Sequence, residues 1–384
     1  MTALLTVDTV CSYVAEQLRD LPDVPVSTGS SLTAAEVTGG NLNYAFAVRD
    51  PAGGGVFVKQ APDYIKVLGP AAALTRQRMR LEVQVYTEWT AHGSVAATYF
   101  PRVWKFDEEA MAFIMELLDS HELLQKRLFE GHVEEAAARS LGDCMAQMHS
   151  RTHCSKISAE ECQRLSAAYE NRLMRDIQLE FVFSKCYRED ARAESLRSDA
   201  AFMSQVEAIK DIYNGSVTSN LALCHGDLHA GSVMVDDRSA AVKIIDPEFA
   251  VFGPPGLDVG SLLSTYALAY CFHSALQNSC KKELLHAMRV IWETYLAAMK
   301  AAGIAADLLK STEQEAVAFA GCEIARTALG LAYERSLRLE DAALKAAAEK
   351  SALAVGVACI QRFREGMPAL MEALEKFDAG AFST

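Results

Sequence analysis

Residues 223–248 read LCHGDLHAGSVMVDDRSAAVKIIDPE, and this stretch limits the possible folds more than any other. An apolar approach leads into a tight polar loop, His225 to Ser232, and then into a short β-rich run at 233–235. A turn of Asp236, Asp237, Arg238 and Ser239 precedes a second run at 242–245, which stops at Asp246-Pro247-Glu248. Two β-rich runs across a polar turn predict a hairpin. A hairpin returns the chain to its start, so Asp227 and Asp246 are expected side by side, with Glu248 at the same sheet edge. Three carboxylates there repel one another unless a cation or a transferred proton belongs to the arrangement. A solvated loop edge would carry the same charges, so the rest of the chain has to decide.

The 384 residues suffice for two lobes with substantial cores. A net charge of −13 argues against a sequence-independent nucleic-acid binder and against a binder of anionic membranes. It leaves room for an anionic substrate held by a local cluster. No basic N-terminal segment leads into an apolar stretch with a cleavage site, so no secretory signal is expected. No apolar run is long enough to cross a bilayer. The ten cysteines are scattered singly with no CxxC and no zinc-site spacing. Reduced thiols in a cytoplasmic protein are the expectation.

Along the chain, Val10, Tyr13, Val14 and Leu18 mark one face of a helix over 7–18, with Thr6 as a candidate N-cap. The pattern then turns to β-structure at 35–37, 44–48 and 56–58, punctuated by the turn Asp50-Pro51-Ala52-Gly53-Gly54-Gly55. A helix is predicted over 73–90, followed by β-like runs at 102–106 and 111–115. Beyond Glu116 the reading is helical apart from the hairpin: 133–149, 162–173, 196–213, 259–272, 281–301, 313–337 and 344–364. The fold class expected is therefore α+β and bilobal. A small β-rich lobe, 1–118, is joined to a large helical lobe, 119–384, that carries the hairpin.

That order of parts suits an ATP-dependent phosphotransferase of protein-kinase-like fold. Phosphoryl transfer asks the protein to position phosphates, hold metal ions and aim a carboxylate at the attacking hydroxyl. Gly39-Gly40-Asn41-Leu42-Asn43 lies at a strand-to-strand turn where backbone can approach phosphate, although such turns also occur in plain hairpins. Lys59 closes a strand as a phosphate-pairing lysine does, and Glu82 on the next helix, whose face also carries Arg76 and Arg80, is able to pair with it. An edge-strand lysine and a surface glutamate are the ordinary alternatives. The absence of GK[ST] excludes a P-loop enzyme. Asp227 is the candidate base for an acceptor hydroxyl. Asp246 and Glu248 are candidate Mg²⁺ ligands, hard oxygen donors stiffened by Pro247. His225/His229 and His149/His153 are both spaced i, i+4, but neither pair has a third ligand in register for zinc. His225 and His229 are expected to brace the loop through hydrogen bonds.

On these residues the chain resembles the 5-methylthioribose kinase family, within the aminoglycoside-phosphotransferase and choline-kinase group of kinase-like folds. The similar segments span most of the chain: GGNLNYAF at 39–46, VKQAPDYIKVLG at 58–69, FDEEAMAFIMELL at 106–118, LFEG at 128–131, HGDLHAGS at 225–232, IDPEFAVFGPPGLDVG at 245–260 and FAGCEIARTALGLA at 319–332. The most specific are HGDLHxGS, with Ser232 where the wider group has asparagine, and DPEFAxxGPxGxDVG. The resemblance implies ATP contacts from Gly40, Asn43 and Lys59, and a hinge at Glu116, Leu117 and Leu118 that takes the adenine. It implies Asp227 as the base at the sugar hydroxyl, Asp246 and Glu248 as Mg²⁺ ligands around Pro247, and Asp258 as a carboxylate supporting the catalytic loop. Arg326 is implied as a substrate contact, for which an i, i+3 helix pair with Glu323 is the plain alternative. A homodimer, methionine salvage, and ATP with a small sugar as partners are implied as well. The family has consecutive arginines where this chain has Arg326-Thr327, and a tryptophan-bearing loop where it reads Gly69-Pro70-Ala71-Ala72-Ala73. A related kinase with a different sugar or amino-alcohol acceptor therefore stays open, as does a catalytically silent nucleotide-binding protein.

Overall fold

The computed structural model describes residues 3–38, 40–91, 95–216, 218–331 and 337–378. The chain forms two compact units, one of residues 1–120 with 243–248, the other of residues 121–242 with 249–384.

In the first unit, helix α1 (Val7–Leu18) buries Val10, Val14 and Leu18, one residue per turn. Its first turn is held by Thr6 N–H donating to Thr9 Oγ1 at 2.9 Å. Strands β1 (Thr33–Glu36), β2 (Tyr44–Arg49) and β3 (Gly55–Gln60), helix α2 (Gln77–Thr90), and strands β4 (Val103–Asp107) and β5 (Ala112–Glu116) follow. The sheet runs β1-β2-β3-β5-β4 and is antiparallel throughout. Side chains alternate across a strand, and here the two faces have different work. Val56, Val58, Ala112 and Ile114 join Val10, Val14 and Leu18 in one core cluster. On the other face Phe57, Phe113 and Met115 pack with Met79 and Val83 of α2. Lys59 has the parity of Phe57, so it too points to the α2 side.

The second unit opens with β6 (His121–Leu123), α3 (Leu124–Glu130) and α4 (Glu135–Thr152). Helices α5 (Ala159–Ala168), α6 (Arg172–Phe183), α7 (Lys185–Glu189), α8 (Glu194–Ser198) and α9 (Ala200–Tyr213) come next. The single helix expected over 162–173 is in fact two, because Asn171 takes a left-handed backbone at φ +44° and restarts the chain into α6. Strand β7 (Ala222–Cys224) leads to β8 (Val233–Asp236) and β9 (Val242–Ile244), whose connecting turn is closed by Asp236 N–H donating to the Ala241 carbonyl at 2.8 Å. Strand β10 (Val251–Gly253) then pairs with β7.

Helix α10 (Gly256–Ala275) is buried along its whole length except at Phe272, so it forms the axis of this unit. Helix α11 (Lys281–Ala301), α12 (Ala306–Ala328), α13 (Ala342–Arg362) and α14 (Met367–Lys376) complete it. Gly260 lets α10 and α12 cross closely, since a Cβ there would lie 2.4 Å from the Ala316 carbonyl oxygen. Helix α12 starts earlier than the expected 313 and stops at Ala328, with Gly330 left-handed just beyond. The remainder of the expected helix, 332–336, lies outside the described residues. Among the described residues no helix is long and apolar enough to cross a membrane.

Candidate active site

The sequence-predicted residues fall into two groups, one in each unit. In the first unit, β3 delivers Lys59 and α2 delivers Glu82 to the same side of the sheet. Lys59 Nζ donates to both carboxylate oxygens of Glu82, at 2.9 and 2.7 Å, and also to Asp246 Oδ1. Asp246 sits at φ +68°, an unusual conformation for a non-glycine residue. Its N–H donates to Tyr86 Oη at 3.1 Å. Glu248, 4% exposed, accepts from Asn43 Nδ2 at 2.9 Å. Arg78 lies beneath both, with its Nε donating to Asn43 Oδ1 at 3.0 Å and standing 3.6 Å from Glu248. Arg78, Glu82 and Tyr86 are therefore three successive turns of one α2 face.

Three carboxylates, Glu82 and Glu248 buried and Asp246 half-exposed, thus stand with two buried cations. Burial outweighs the pull of Lys59 and raises Glu82 to about 8, with Asp246 and Glu248 pushing the same way. Burial and then the Asp246 charge raise Glu248 to about 7. Burial alone would lower Lys59, but Asp246, Glu82 and Glu248 outweigh it and hold the ammonium charged. Glu82, Asp246 and Glu248 each offer an oxygen within 4.8 Å of the others. An all-oxygen donor set with surplus negative charge fits a hard divalent cation. Lys59 takes both oxygens of the buried Glu82 but only Oδ1 of the half-exposed Asp246, so Asp246 and Glu248 are the pair suited to such an ion.

Around this group, Gly40 is exposed with open space beside its Cα, while Gly39 lies outside the described residues. Pro247 is buried between the two acids. Glu116 ends β5, with its N–H donating to the Arg102 carbonyl at 2.8 Å and its Oε2 accepting from Lys243 Nζ at 3.3 Å. Leu117 and Leu118 follow, half-buried and outside any strand.

In the second unit the polar loop is suspended from Asp258, which accepts from His225 N–H at 2.7 Å and Gly226 N–H at 2.9 Å. Gly226 has φ +85°, and a Cβ there would lie 2.0 Å from the Phe249 carbonyl oxygen, so glycine is required. Gln178 Nε2 donates to the Gly226 carbonyl at 2.7 Å. His225 Nδ1 accepts from Asp227 N–H at 3.3 Å, and His229 Nδ1 accepts from Gly231 N–H at 2.8 Å. Ser232 Oγ donates to the Asp227 carbonyl at 3.2 Å. The Asp227 side chain, 14% exposed, lies 3.6 Å from His229 Nε2. The carboxylates expected along one hairpin edge are thus divided, Asp227 belonging to the second unit and Asp246 and Glu248 to the first.

Arg326 is buried and paired with Glu323, Nε to Oε2 at 2.8 Å, and its Nη1 donates to the Leu331 carbonyl at 3.3 Å. Burial would lower this guanidinium; the Glu323 and Asp227 charges outweigh it, which brings Arg326 into the electrostatic neighbourhood of Asp227. Thr327 Oγ1 is spent on the Glu323 carbonyl at 2.8 Å.

Two residues to which the sequence reading gave no role belong to these groups. Arg78 is one, and its signal was the i, i+4, i+8 stripe of Arg78, Glu82 and Tyr86. His149 is the other, with Nε2 3.0 Å from Asp258 Oδ2 and Nδ1 3.1 Å from Tyr295 Oη. Its spacing partner His153 turns instead to Ser155 and Asn220, so the i, i+4 pair makes no common site.

In the first unit a buried lysine on a strand is paired to a helix glutamate with an acidic oxygen pair beside it, and in the second a carboxylate stands in a braced loop; these are kinds of part that phosphoryl transfer uses. Residues 33–301 match the phosphotransferase enzyme family, and the chain belongs to that family, as a small-molecule kinase. It is 29% identical over 359 residues to a methylthioribose kinase of Yersinia pseudotuberculosis, covering 86% of each chain. It is likewise 29% identical over 357 residues to a methylthioribose kinase of Citrobacter koseri, covering 85% of this chain and 88% of the relative. Among solved structures, a Plasmodium vivax ethanolamine kinase aligns over 92% of this chain and 91% of its own, with a TM-score of 0.52 at 12% identity, a likeness of fold.

Proposed function

We propose that the protein transfers the γ-phosphate of ATP to the 1-hydroxyl of 5-methylthioribose, giving ADP and the 1-phosphate, a step of methionine salvage. The observation that carries the reading is the cluster of Lys59, Glu82, Asp246 and Glu248, which has the charge and donor type that a metal-bound triphosphate requires. The methylthioribose kinases to which the chain is similar supply the acceptor.

In this reading Lys59, held by Glu82, takes the phosphates with Asn43 and the backbone at Gly40, and the segment from Glu116 to Leu118 takes the adenine. Asp246 and Glu248 hold Mg²⁺, which when bound neutralises charge on the phosphates. Asp227 orients the acceptor hydroxyl and removes its proton. His225, His229, Ser232 and Asp258 fix the backbone on either side of that carboxylate. Arg326 reaches the substrate from α12.

A second reading keeps the reaction and changes the acceptor. Thr327 and the segment Gly69-Pro70-Ala71-Ala72-Ala73 favour it, because both lie where methylthioribose kinases carry other residues. Release of ADP by purified protein decides between them, with methylthioribose, ribose, choline, homoserine and an aminoglycoside as acceptors. Turnover confined to methylthioribose supports the first reading, and a preference for another acceptor supports the second. Bound ATP with no turnover on any acceptor sinks both and leaves a silent nucleotide-binding protein.

A further inference from the structure

We propose that Arg78 is a positioning residue for the divalent–nucleotide site, because its guanidinium fixes the Asn43 amide in the one orientation that gives Glu248 a donor. The inference rests on the reading above, in which Asp246 and Glu248 hold the metal.

Arg78 is 1% exposed on α2. Its Nε donates to Asn43 Oδ1 at 3.0 Å, its Nη2 to the Leu42 carbonyl at 3.1 Å and the Pro62 carbonyl at 3.0 Å, and its Nη1 to the Leu74 and Thr75 carbonyls. A guanidinium has five N–H donors in a rigid planar fork, and five oxygen acceptors are present. A buried charge so completely satisfied has one arrangement available to it.

The consequence falls on Asn43. An amide has a carbonyl end and an amino end, and Arg78 Nε can only face the carbonyl. The amino end is thereby turned toward Glu248, where Nδ2 donates to Oε2 at 2.9 Å. Flipping the amide would set two donors against each other at Arg78 and two acceptors against each other at Glu248. The same guanidinium grips Leu42, next to Asn43 in the Gly40–Asn43 turn, and Pro62, at the start of the loop that leads to α2. One side chain thus ties the turn, the loop and the metal-facing carboxylate together. A lysine would keep the charge but lose the fork.

The test compares the parent protein with Arg78→Lys by calorimetric titration of the β,γ-imido analogue of ATP, with Mg²⁺ and with a chelator, alongside thermal unfolding and steady-state kinetics. Partners that orient metal ligands change metal affinity by about 10- to 100-fold when removed. We expect the folded variant to lose at least about tenfold in Mg²⁺-dependent affinity, with chelator affinity and acceptor KM within about threefold of the parent. Parent-like Mg²⁺-dependent affinity in folded Arg78→Lys, or an equal loss with and without Mg²⁺, overturns the proposal. Should Arg78→Lys not fold, Asn43→Leu removes the relay at its middle. It must lose the Mg²⁺-dependent gain, read as the ratio of affinities with Mg²⁺ and with chelator, and a preserved ratio overturns the proposal. A parent protein that shows no Mg²⁺-dependent gain at all overturns the functional reading itself, a result visible before any variant is compared.

Discussion

Lys59 and Glu82 close on each other at 2.7 Å with side chains 9% and 1% exposed, so a strand and a helix of the first unit share an ion pair sheltered from water. The pair is one part of a larger imbalance, three carboxylates against Lys59 and Arg78. That imbalance makes the cluster receptive to added positive charge and makes each of its members costly to remove alone.

Lys59→Met should show this directly. Breaking a buried pair by removing one partner costs about 3–5 kcal/mol. The low end, about 3 kcal/mol, is expected because burial pushes Glu82 above the usual carboxylate range, so that it takes up a proton once the opposing pull of Lys59 is gone. Lys59→Met combined with Glu82→Leu should recover part of the loss, since the fully buried carboxylate is gone and the other acid that loses Lys59, Asp246, is half-exposed. Urea unfolding of parent, single and double variants measures both, and a double variant less stable than the single one contradicts the account.

Asp227→Asn keeps the shape of the loop and removes the base. Turnover should fall at least about a hundredfold, the usual scale for general-base catalysis, while binding of the imido analogue of ATP with Mg²⁺ stays within about threefold. Normal ADP release by the variant would remove Asp227 from the chemistry.

Much of this was legible in the chain. Helix α1 was found to the residue because Val10, Val14 and Leu18 repeat at helical spacing, and Lys59 was legible because it lies near the end of a strand whose parity is fixed by Val56 and Val58. What could not be read was tertiary. The membership of residues 243–248 in the first unit depends on contacts with β3 and α2 that no local pattern encodes. Arg78 looked like one more cation on a helix bearing Arg76 and Arg80, yet Arg80 is surface-exposed beside Glu108 while Arg78 is buried. Asn171 broke an expected helix by taking a left-handed backbone, which asparagine does in some contexts and not in others.

The pH response of the ligand-free protein follows from the raised carboxyls. Glu248 moves from an ordinary 4.5 to about 7, and Glu315, raised by burial against its bonds to Asn220 and Gly256, also to about 7. The folded state therefore holds protons that the unfolded chain has released. This stabilising contribution is fully present below about 4.5 and is lost as pH rises through 7. In chelator, the urea midpoint should fall between pH 5 and pH 8, and Glu248→Gln should flatten part of the slope. A midpoint that rises over that range reverses the sign and sinks the assignment.

The same proton should be released when Mg²⁺ binds, because a metal ligand must be deprotonated. At saturating ATP, the Mg²⁺ concentration for half-maximal rate should be lower at pH 8 than at pH 6. Glu248→Gln should raise it at both values and remove most of the difference between them. A half-saturating concentration independent of pH in the parent protein would place the ion on groups other than Glu248.

His149 reaches the chemistry only through Asp258. Its ring joins Tyr295 Oη to Asp258 Oδ2, and the two Asp258 oxygens hold the His225 and Gly226 backbone next to Asp227. His149→Leu takes a partner from the buried Tyr295 hydroxyl, a loss of about 1–3 kcal/mol if that group is left unsatisfied, and leaves Asp258 with its two backbone N–H donors but without the imidazole. Because the loop then has a weaker anchor, kcat should fall several-fold more than stability alone explains at temperatures where the variant is fully folded. Nucleotide affinity, carried by the other unit in the proposed reading, should stay near that of the parent. His149→Gln, which restores a hydrogen-bonding group toward Asp258, should regain part of the lost kcat. Equal kcat in the leucine and glutamine variants at equal folded fraction would reduce His149 to a packing role.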